Sequence, residues 1–338
     1  MTESAAPLGG THPLAPAIPA SALEPVDCGL CGCEERELRF QDGPFQVVEC
    51  SACALVYVTP RLKDSSLIDH VYNETYWSSD AAKVHGYTDY RADAPLYKRT
   101  YEKRLSVLER HFPGLCNAAG EPLRVLDVGC AAGYFLAVMQ ARGCVVTGLE
   151  PSATIREVAS VELGAGCVHG ELLAIDDTFE PGSFDLITFW DVIEHIPDPR
   201  KALARARELL APGGRLLVET QNVDSRAAKL LGKKWQHYKH AEHIYHFTPR
   251  TLERLFAEAG FEVLENTPRL GGKYVSLAFV TERAGRLHPA FSFLLSPLRL
   301  IGGTAVYINL MDEMIVVGAP ADGHKQGPTS EHVTDPAR

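Results

Sequence analysis

A chain of 338 residues with 46% hydrophobic and 22% charged side chains has the composition of a folded globular protein, with length for one large domain plus a small one, or two of middling size. Forty-three acidic side chains against 33 basic ones leave a net charge of −10, which repels a phosphate backbone and argues against nucleic acid as partner. Residues 1–35 contain no Lys or Arg, and the longest apolar stretch, Phe291–Ile308, is broken by Pro297, Arg299, Gly302 and Gly303; the expectation is a cytoplasmic chain without a membrane span.

In chain order, residues 1–26 read as a flexible tail rich in Pro, Ala, Gly and Ser. Residues 27–58 carry five of the nine cysteines. Residues 59–118 form a helical connector, in which Asp93–His111 sets Leu96, Tyr101, Leu105 and Leu108 on one side of an amphipathic helix. From 119 to 320, short β-branched runs alternate with helical ones. Strands are expected at Leu123–Val128, Cys144–Glu150, Gly166–His169, Asp185–Trp190, Arg215–Thr220, Phe261–Glu265 and Met314–Val317, with helices at Ala132–Ala141, Ala153–Leu163, Lys201–Leu210 and Thr248–Ala259. That rhythm predicts an α/β fold with a doubly wound, mostly parallel sheet. The stretch from about 270 to 310 is too long for a turn and reads as an insertion that covers something; residues 321–338 read as a second tail.

Cys28-x2-Cys31, an 18-residue gap and Cys50-x2-Cys53 have the spacing of a four-thiolate zinc site. A segment this small cannot bury enough apolar surface to hold itself together, and a metal ion supplies the missing stability. Four thiolates leave no open coordination position, which makes the expected zinc structural. Cys33 is left outside because the spacer of Cys28 and Cys31 matches that of the second pair. Cys116, Cys130, Cys144 and Cys167 read as packed thiols.

The run Val125–Gly133 sets Gly129 and Gly133 between an apolar strand and a helix, where a bound molecule approaches the backbone closely. Glu150 ends the next strand 21 positions after Gly129, the place from which a carboxylate reaches ribose hydroxyls. Asp127, immediately before the turn, would repel a pyrophosphate but suits the ammonium and sulfonium groups of S-adenosylmethionine. The Gly129-x3-Gly133 spacing lacks the G-x-G-x-x-G of dinucleotide sites. A fold that has lost its cofactor would show the same turn residues.

With these residues the chain resembles class I S-adenosylmethionine-dependent methyltransferases over about residues 119–320. The resemblance rests on Leu126-Asp-Val-Gly-Cys-Ala-Ala-Gly133, Thr147-Gly-Leu-Glu-Pro151, Phe184–Pro197 and Leu210-Ala-Pro-Gly-Gly214. It implies a Rossmann-like sheet whose last strand is antiparallel. It also implies a cofactor site in which Asp127 and Gly129 hold the methionine part and Glu150 the ribose, with Cys130, Gly133, Pro151, Trp190 and Asp191 around them. Ala131 departs from the family, many of whose members have glycine there. The cysteine module resembles the zinc ribbon that precedes this domain in a bacterial subgroup, through Cys53-Ala-Leu-Val-Tyr57 and Tyr76-Trp77.

Methyl transfer needs an aligned acceptor and often a base, for which histidine suits neutral pH. His195, just beyond the fourth strand, either takes the acceptor's proton or holds its loop through hydrogen bonds. His237, His240, His243 and His246 recur every third residue. On a helix such steps rotate by about 60° each, so the four would not converge on one metal ion. Glu242-His243 before Phe247-Thr248 is similar to a segment of zinc-ribbon sugar C-methyltransferases, which implies that Glu242 and His243 act at the acceptor as orienter and base. The expected function is methylation of a small-molecule acceptor, a sugar or natural-product precursor among the options. The rivals are a nicotinamide-dependent oxidoreductase and a non-catalytic zinc-ribbon binding module.

Overall fold

A computed structural model describes residues 18–64, 66, 92–115, 120–164, 168–170, 178–287 and 289–321. Tyr76, Trp77, Cys116, Cys167 and most of both expected tails lie outside the described residues.

The N-terminal part contributes strands β1 (Leu23–Glu24), β2 (Arg36–Asp42), β3 (Phe45–Cys50), β4 (Val56–Thr59) and β5 (Arg61–Leu62). Helix α1 (Ala94–His111) follows, then the alternation β6 (Arg124–Val128), α2 (Tyr134–Ala141), β7 (Val145–Leu149), α3 (Ala153–Leu163), β8 (Val168–His169), β9 (Phe184–Trp190), α4 (Pro199–Leu209) and β10 (Leu210–Gln221). The chain continues through α5 (Arg226–Leu231), β11 (Tyr245–His246), α6 (Pro249–Glu258), β12 (Phe261–Thr267), β13 (Lys273–Ser276), α7 (Leu277–Leu287), α8 (Pro289–Leu294), β14 (Ala305–Ile308) and β15 (Glu313–Pro320).

Local signals set several boundaries. Helix α4 starts before the expected Lys201 because Asp198 caps it, accepting from the Lys201 N–H, and Pro199 fits the first turn. Thr248 caps α6 through the Thr251 N–H, and the Thr251 hydroxyl accepts the Thr248 N–H in return.

Seven strands form one sheet in the order β12-β15-β10-β9-β6-β7-β8. The five from β8 to β10 are parallel, while β15 runs antiparallel to both β10 and β12. This is the expected doubly wound sheet with its antiparallel last strand. Period-2 alternation divides the strand side chains between two cores. Val125, Leu186, Leu217, Ile315 and Val317 pack with Leu105 and Leu108 of α1 and Phe135 and Met139 of α2. Leu126, Ile187, Phe189, Leu216 and Val316 pack with Leu203 and Ala206 of α4 and Leu252 and Phe256 of α6.

The second core also takes in Cys28, Leu30, Val48, Cys50, Leu55 and Tyr57 of the cysteine-bearing segment. That segment builds a four-stranded sheet in the order β11-β4-β3-β2, so its edge is completed by Tyr245 and His246 from the far side of the chain. Residues 273–308 form a two-stranded hairpin, β13 with β14, carrying α7 and α8 between its strands. Among the described residues, no helix is long and apolar enough to cross a membrane.

Candidate active site

Strand β6 delivers Asp127 to the carboxyl edge of the sheet, followed at once by a turn made of positive-φ residues: Gly129 at +71°, Ala131 at +47° and Gly133 at +77°. A Cβ on Gly129 would come within 2.5 Å of Val192, and one on Gly133 within 2.8 Å of Leu163, so neither position has room for a side chain. Ala131, the departure from the family pattern, adopts the left-handed conformation without being glycine, and its N–H donates to Glu150 Oε2 at 3.1 Å. Glu150 is further held by the Ser152 N–H on Oε1 at 2.9 Å. The carbonyl of Pro151 accepts from Arg156 at 2.8 Å.

Asp127 is 2% exposed and accepts the Thr188 hydroxyl at 2.6 Å. Burial pushes its carboxyl up to about 8; the Thr188 bond opposes that rise and the charge of Glu150 adds to it. Two carboxylates therefore face one glycine turn. Cys130 fills the space over Gly148, where a Cβ would stand 2.5 Å from its Sγ, and burial raises its thiol well above the usual range. It is a packed thiol.

Trp190 packs edge-on and tilted against Tyr101 and Phe135, with ring centroids 5.2 Å apart in both cases. Its indole N–H is buried without a hydrogen-bond partner. Asp191 ends the strand at φ +54°. Lys273, reaching in from β13, donates to Asp191 at 2.9 Å and to Glu313 at 2.8 Å. Burial acts to raise the Asp191 carboxyl, but the Lys273 ammonium outweighs it and holds the group at about 2. Behind this pair, Arg104 of α1 makes a two-pronged, fully buried ion pair with Glu219 of β10.

The histidine-rich segment is a succession of turns, not a helix, so the rotation expected for a helix does not apply. Its four imidazoles still do not gather at one point: His237 stacks on His243 and His240 sits edge-on to His246, each pair with centroids 6.3 Å apart. His237 lies 3.6 Å from both Asp312 and Glu313, while His240 lies 3.5 Å from Asp42 on the four-stranded sheet. His246 packs against Tyr238 and Trp235 with both ring nitrogens unpartnered. His243 meets His195, their centroids 4.7 Å apart.

Burial lowers the pKa of both rings, His243 the more, and keeps them neutral. For His195 the charge of Glu242 opposes that shift, and a backbone hydrogen bond with Glu242 adds to the opposition. Glu242 thus bears on His195, and the charges that act most on His243 are those of His195, Lys239, His237 and His246. Glu194 is 0% exposed, with Oε2 accepting the Thr220 hydroxyl at 2.9 Å and Oε1 without a partner.

Thr188, Glu194, Glu219, Arg104 and Lys273 are absent from the expected site. Glu194 stood in the open beside His195, and the polar run Glu219-Thr220-Gln221 closing an apolar strand marked a site edge. Lys273 carries no such sign, because only the tertiary return of the hairpin brings it to Asp191.

Away from the sheet edge, the thiols of Cys28, Cys31, Cys50 and Cys53 gather within 4.8 Å of one another. Sγ–Sγ distances of 3.4 Å for Cys28 and Cys53 and 3.5 Å for Cys31 and Cys50 fit the edges of a tetrahedron around a zinc ion with bonds of about 2.3 Å. Cys33 Sγ lies 3.7 Å from the Glu35 carbonyl oxygen and outside that group.

A family model described as a methyltransferase domain matches residues 97–266. The ubiquinone biosynthesis O-methyltransferase of Thiobacillus denitrificans is 32% identical over 154 residues, spanning 43% of this chain and 66% of that protein. The protein of the same name from Chromobacterium violaceum is 34% identical over 131 residues, spanning 37% and 53%. The chain thus spans roughly half to two thirds of the length of these relatives. A solved S-adenosylmethionine-dependent methyltransferase from Thermotoga maritima aligns with 72% of this chain and 100% of its own, at 19% identity and a TM-score of 0.44.

Proposed function

This chain belongs to the methyltransferase domain family, and from that premise we propose that it moves a methyl group from S-adenosylmethionine to a hydroxyl of a small molecule. The observation that carries the reading is the pair of acids at the glycine turn. Asp127 is the penultimate residue of β6, Glu150 directly follows its neighbour β7, and the turn between them cannot bear side chains at Gly129 or Gly133. Such a place favours a cationic adenosine ligand: Asp127 faces its charge, Glu150 its ribose, and no basic side chain of the turn invites a pyrophosphate. Pro151, Trp190 and Asp191 border the same edge.

S-adenosylmethionine would supply an electrophilic methyl group on a sulfonium. The work of this chain is to orient the acceptor, keep water away and take up a proton. For the last role the neutral imidazoles of His195 and His243, with Glu242 beside His195, are the groups at hand. The name of the relatives supports oxygen as the acceptor atom rather than the sugar carbon considered from sequence. The four-thiolate cluster is assigned a structural zinc ion.

Isothermal calorimetry with S-adenosylmethionine tests the cofactor site. Binding to the parent and a loss of at least about tenfold in affinity in folded Asp127→Ala/Glu150→Ala protein are expected. Unchanged affinity in that variant, or tighter binding of NADH by the parent, would overturn it.

A further inference from the structure

Three side chains of metal-binding type converge at the acceptor end of the sheet. Glu194 and His195 follow β9, whereas His243 belongs to the turns before β11, and one donor atom from each lies within 4.8 Å of the other two. The two segments are fastened by backbone: the Ile244 and Tyr245 N–H groups donate to the Glu194 carbonyl at 3.0 and 3.2 Å.

The protein's own hydrogen bonding leaves part of this group unsatisfied. Glu194 Oε1 and His243 Nδ1 are buried without a partner, in residues 0% and 5% exposed. A buried polar atom with no partner costs roughly 1–3 kcal/mol, and such a deficit in a fold is normally cancelled by something that binds there. Nearby cations do not serve: Lys239 is paired with Glu242 at 3.8 Å, Lys273 is engaged by Asp191 and Glu313, and Arg104 by Glu219.

We propose that Glu194, His195 and His243 hold a divalent first-row transition-metal ion, distinct from the ion of the four-thiolate cluster. Two imidazoles and one carboxylate suit manganese, iron or zinc. Three protein ligands leave coordination positions open, as catalytic rather than structural sites do. The role of the ion rests on the methyltransferase reading; its presence does not. An acceptor hydroxyl bound to it would give up its proton to water more readily, with the electron pair left on oxygen. The imidazoles then direct their lone pairs to the ion instead of to that proton.

The test uses the full chain with the thiolate-bound metal monitored and left in place, stripped of weaker metal with a chelator and titrated with Mn²⁺. Electron paramagnetic resonance of free Mn²⁺ is expected to show one ion bound per chain in the parent. Binding should weaken at least about tenfold in His243→Ala and in Glu194→Gln and persist in His237→Ala. Circular dichroism checks folding, and His243→Gln replaces His243→Ala if the latter does not fold. No Mn²⁺ bound by the parent at millimolar concentration, or parent-like binding in the folded variants, overturns the site. Calorimetry with S-adenosylmethionine on the same samples separates the two readings. Cofactor binding without Mn²⁺ sinks the metal site alone; Mn²⁺ binding without cofactor affinity sinks the methyltransferase assignment alone.

Discussion

Asp127 and Thr188 are register partners on the neighbouring strands β6 and β9, and the Thr188 hydroxyl donates to the Asp127 carboxylate at 2.6 Å. That bond favours the ionised acid, yet burial wins and the carboxyl stands at about 8. The sheet edge therefore holds a proton that an incoming cation can displace.

A pH dependence follows with a definite sign. The folded protein keeps Asp127 protonated where the unfolded chain, with its carboxyl near 3.8, has lost the proton. The native state binds more protons between about pH 4 and 8, so stability falls as pH rises through that window. In urea titrations Asp127→Asn should lose stability less steeply than the parent over the same range. Binding of S-adenosylmethionine near pH 7 should release part of a proton, read as a heat that changes with the ionisation enthalpy of the buffer, and this should vanish in Asp127→Asn. Parallel pH profiles for the two proteins would contradict the assignment.

The glycine turn makes a contrasting pair of predictions. Gly129→Ala adds a Cβ 2.5 Å from Val192 at a positive φ, and should cost about 1–3 kcal/mol of stability along with cofactor affinity. Ala131→Gly relieves a left-handed alanine at φ +47° and should leave both intact or improved, since the strain of roughly 1 kcal/mol offsets the backbone entropy that glycine adds. Thermal melts with and without ligand check both.

The ion pair of Arg104 and Glu219 is buried at 2% and 1% side-chain exposure. Removing one partner leaves a charge without compensation, so Arg104→Leu should cost about 3–5 kcal/mol, and Arg104→Leu/Glu219→Gln appreciably less. Denaturant titration of the single and double variants measures the difference. Equal losses in the two would show that the pair acts through packing alone.

Metal analysis of freshly purified protein should find about one zinc ion per chain that withstands mild chelation, held by the thiolates of Cys28, Cys31, Cys50 and Cys53. Cys50→Ser should lose it and Cys33→Ser should keep it, because the Cys33 thiol stands outside the tetrahedron.

Much of the sheet edge could be read in the sequence because its devices are local. Glycines adjoin Asp127, Glu150 closes the next apolar run, and the alternation of short β-branched runs with helical ones is visible from Leu123 to Leu210. The two cysteine pairs announce themselves by spacing. What stayed hidden depends on contacts between distant segments: Lys273 against Asp191, Arg104 against Glu219, and the Glu242 backbone against His195. The histidine segment is a different case. Its three-residue recurrence resembles a helical face, but Trp235, Tyr238 and His246 pack on one another in a series of turns, and tertiary burial there overrides the local pattern.

Strand β11 borrows its partner from another part of the chain. Tyr245 and His246 pair with Tyr57 and Val56, in the strand that begins just after Cys53 closes the thiolate cluster, while the same short strand directly follows the His243 segment. The cysteine cluster and the imidazoles thus share one mechanical frame. Whatever displaces the four thiols therefore also displaces the edge on which β11 hangs, and with it the backbone that carries His243.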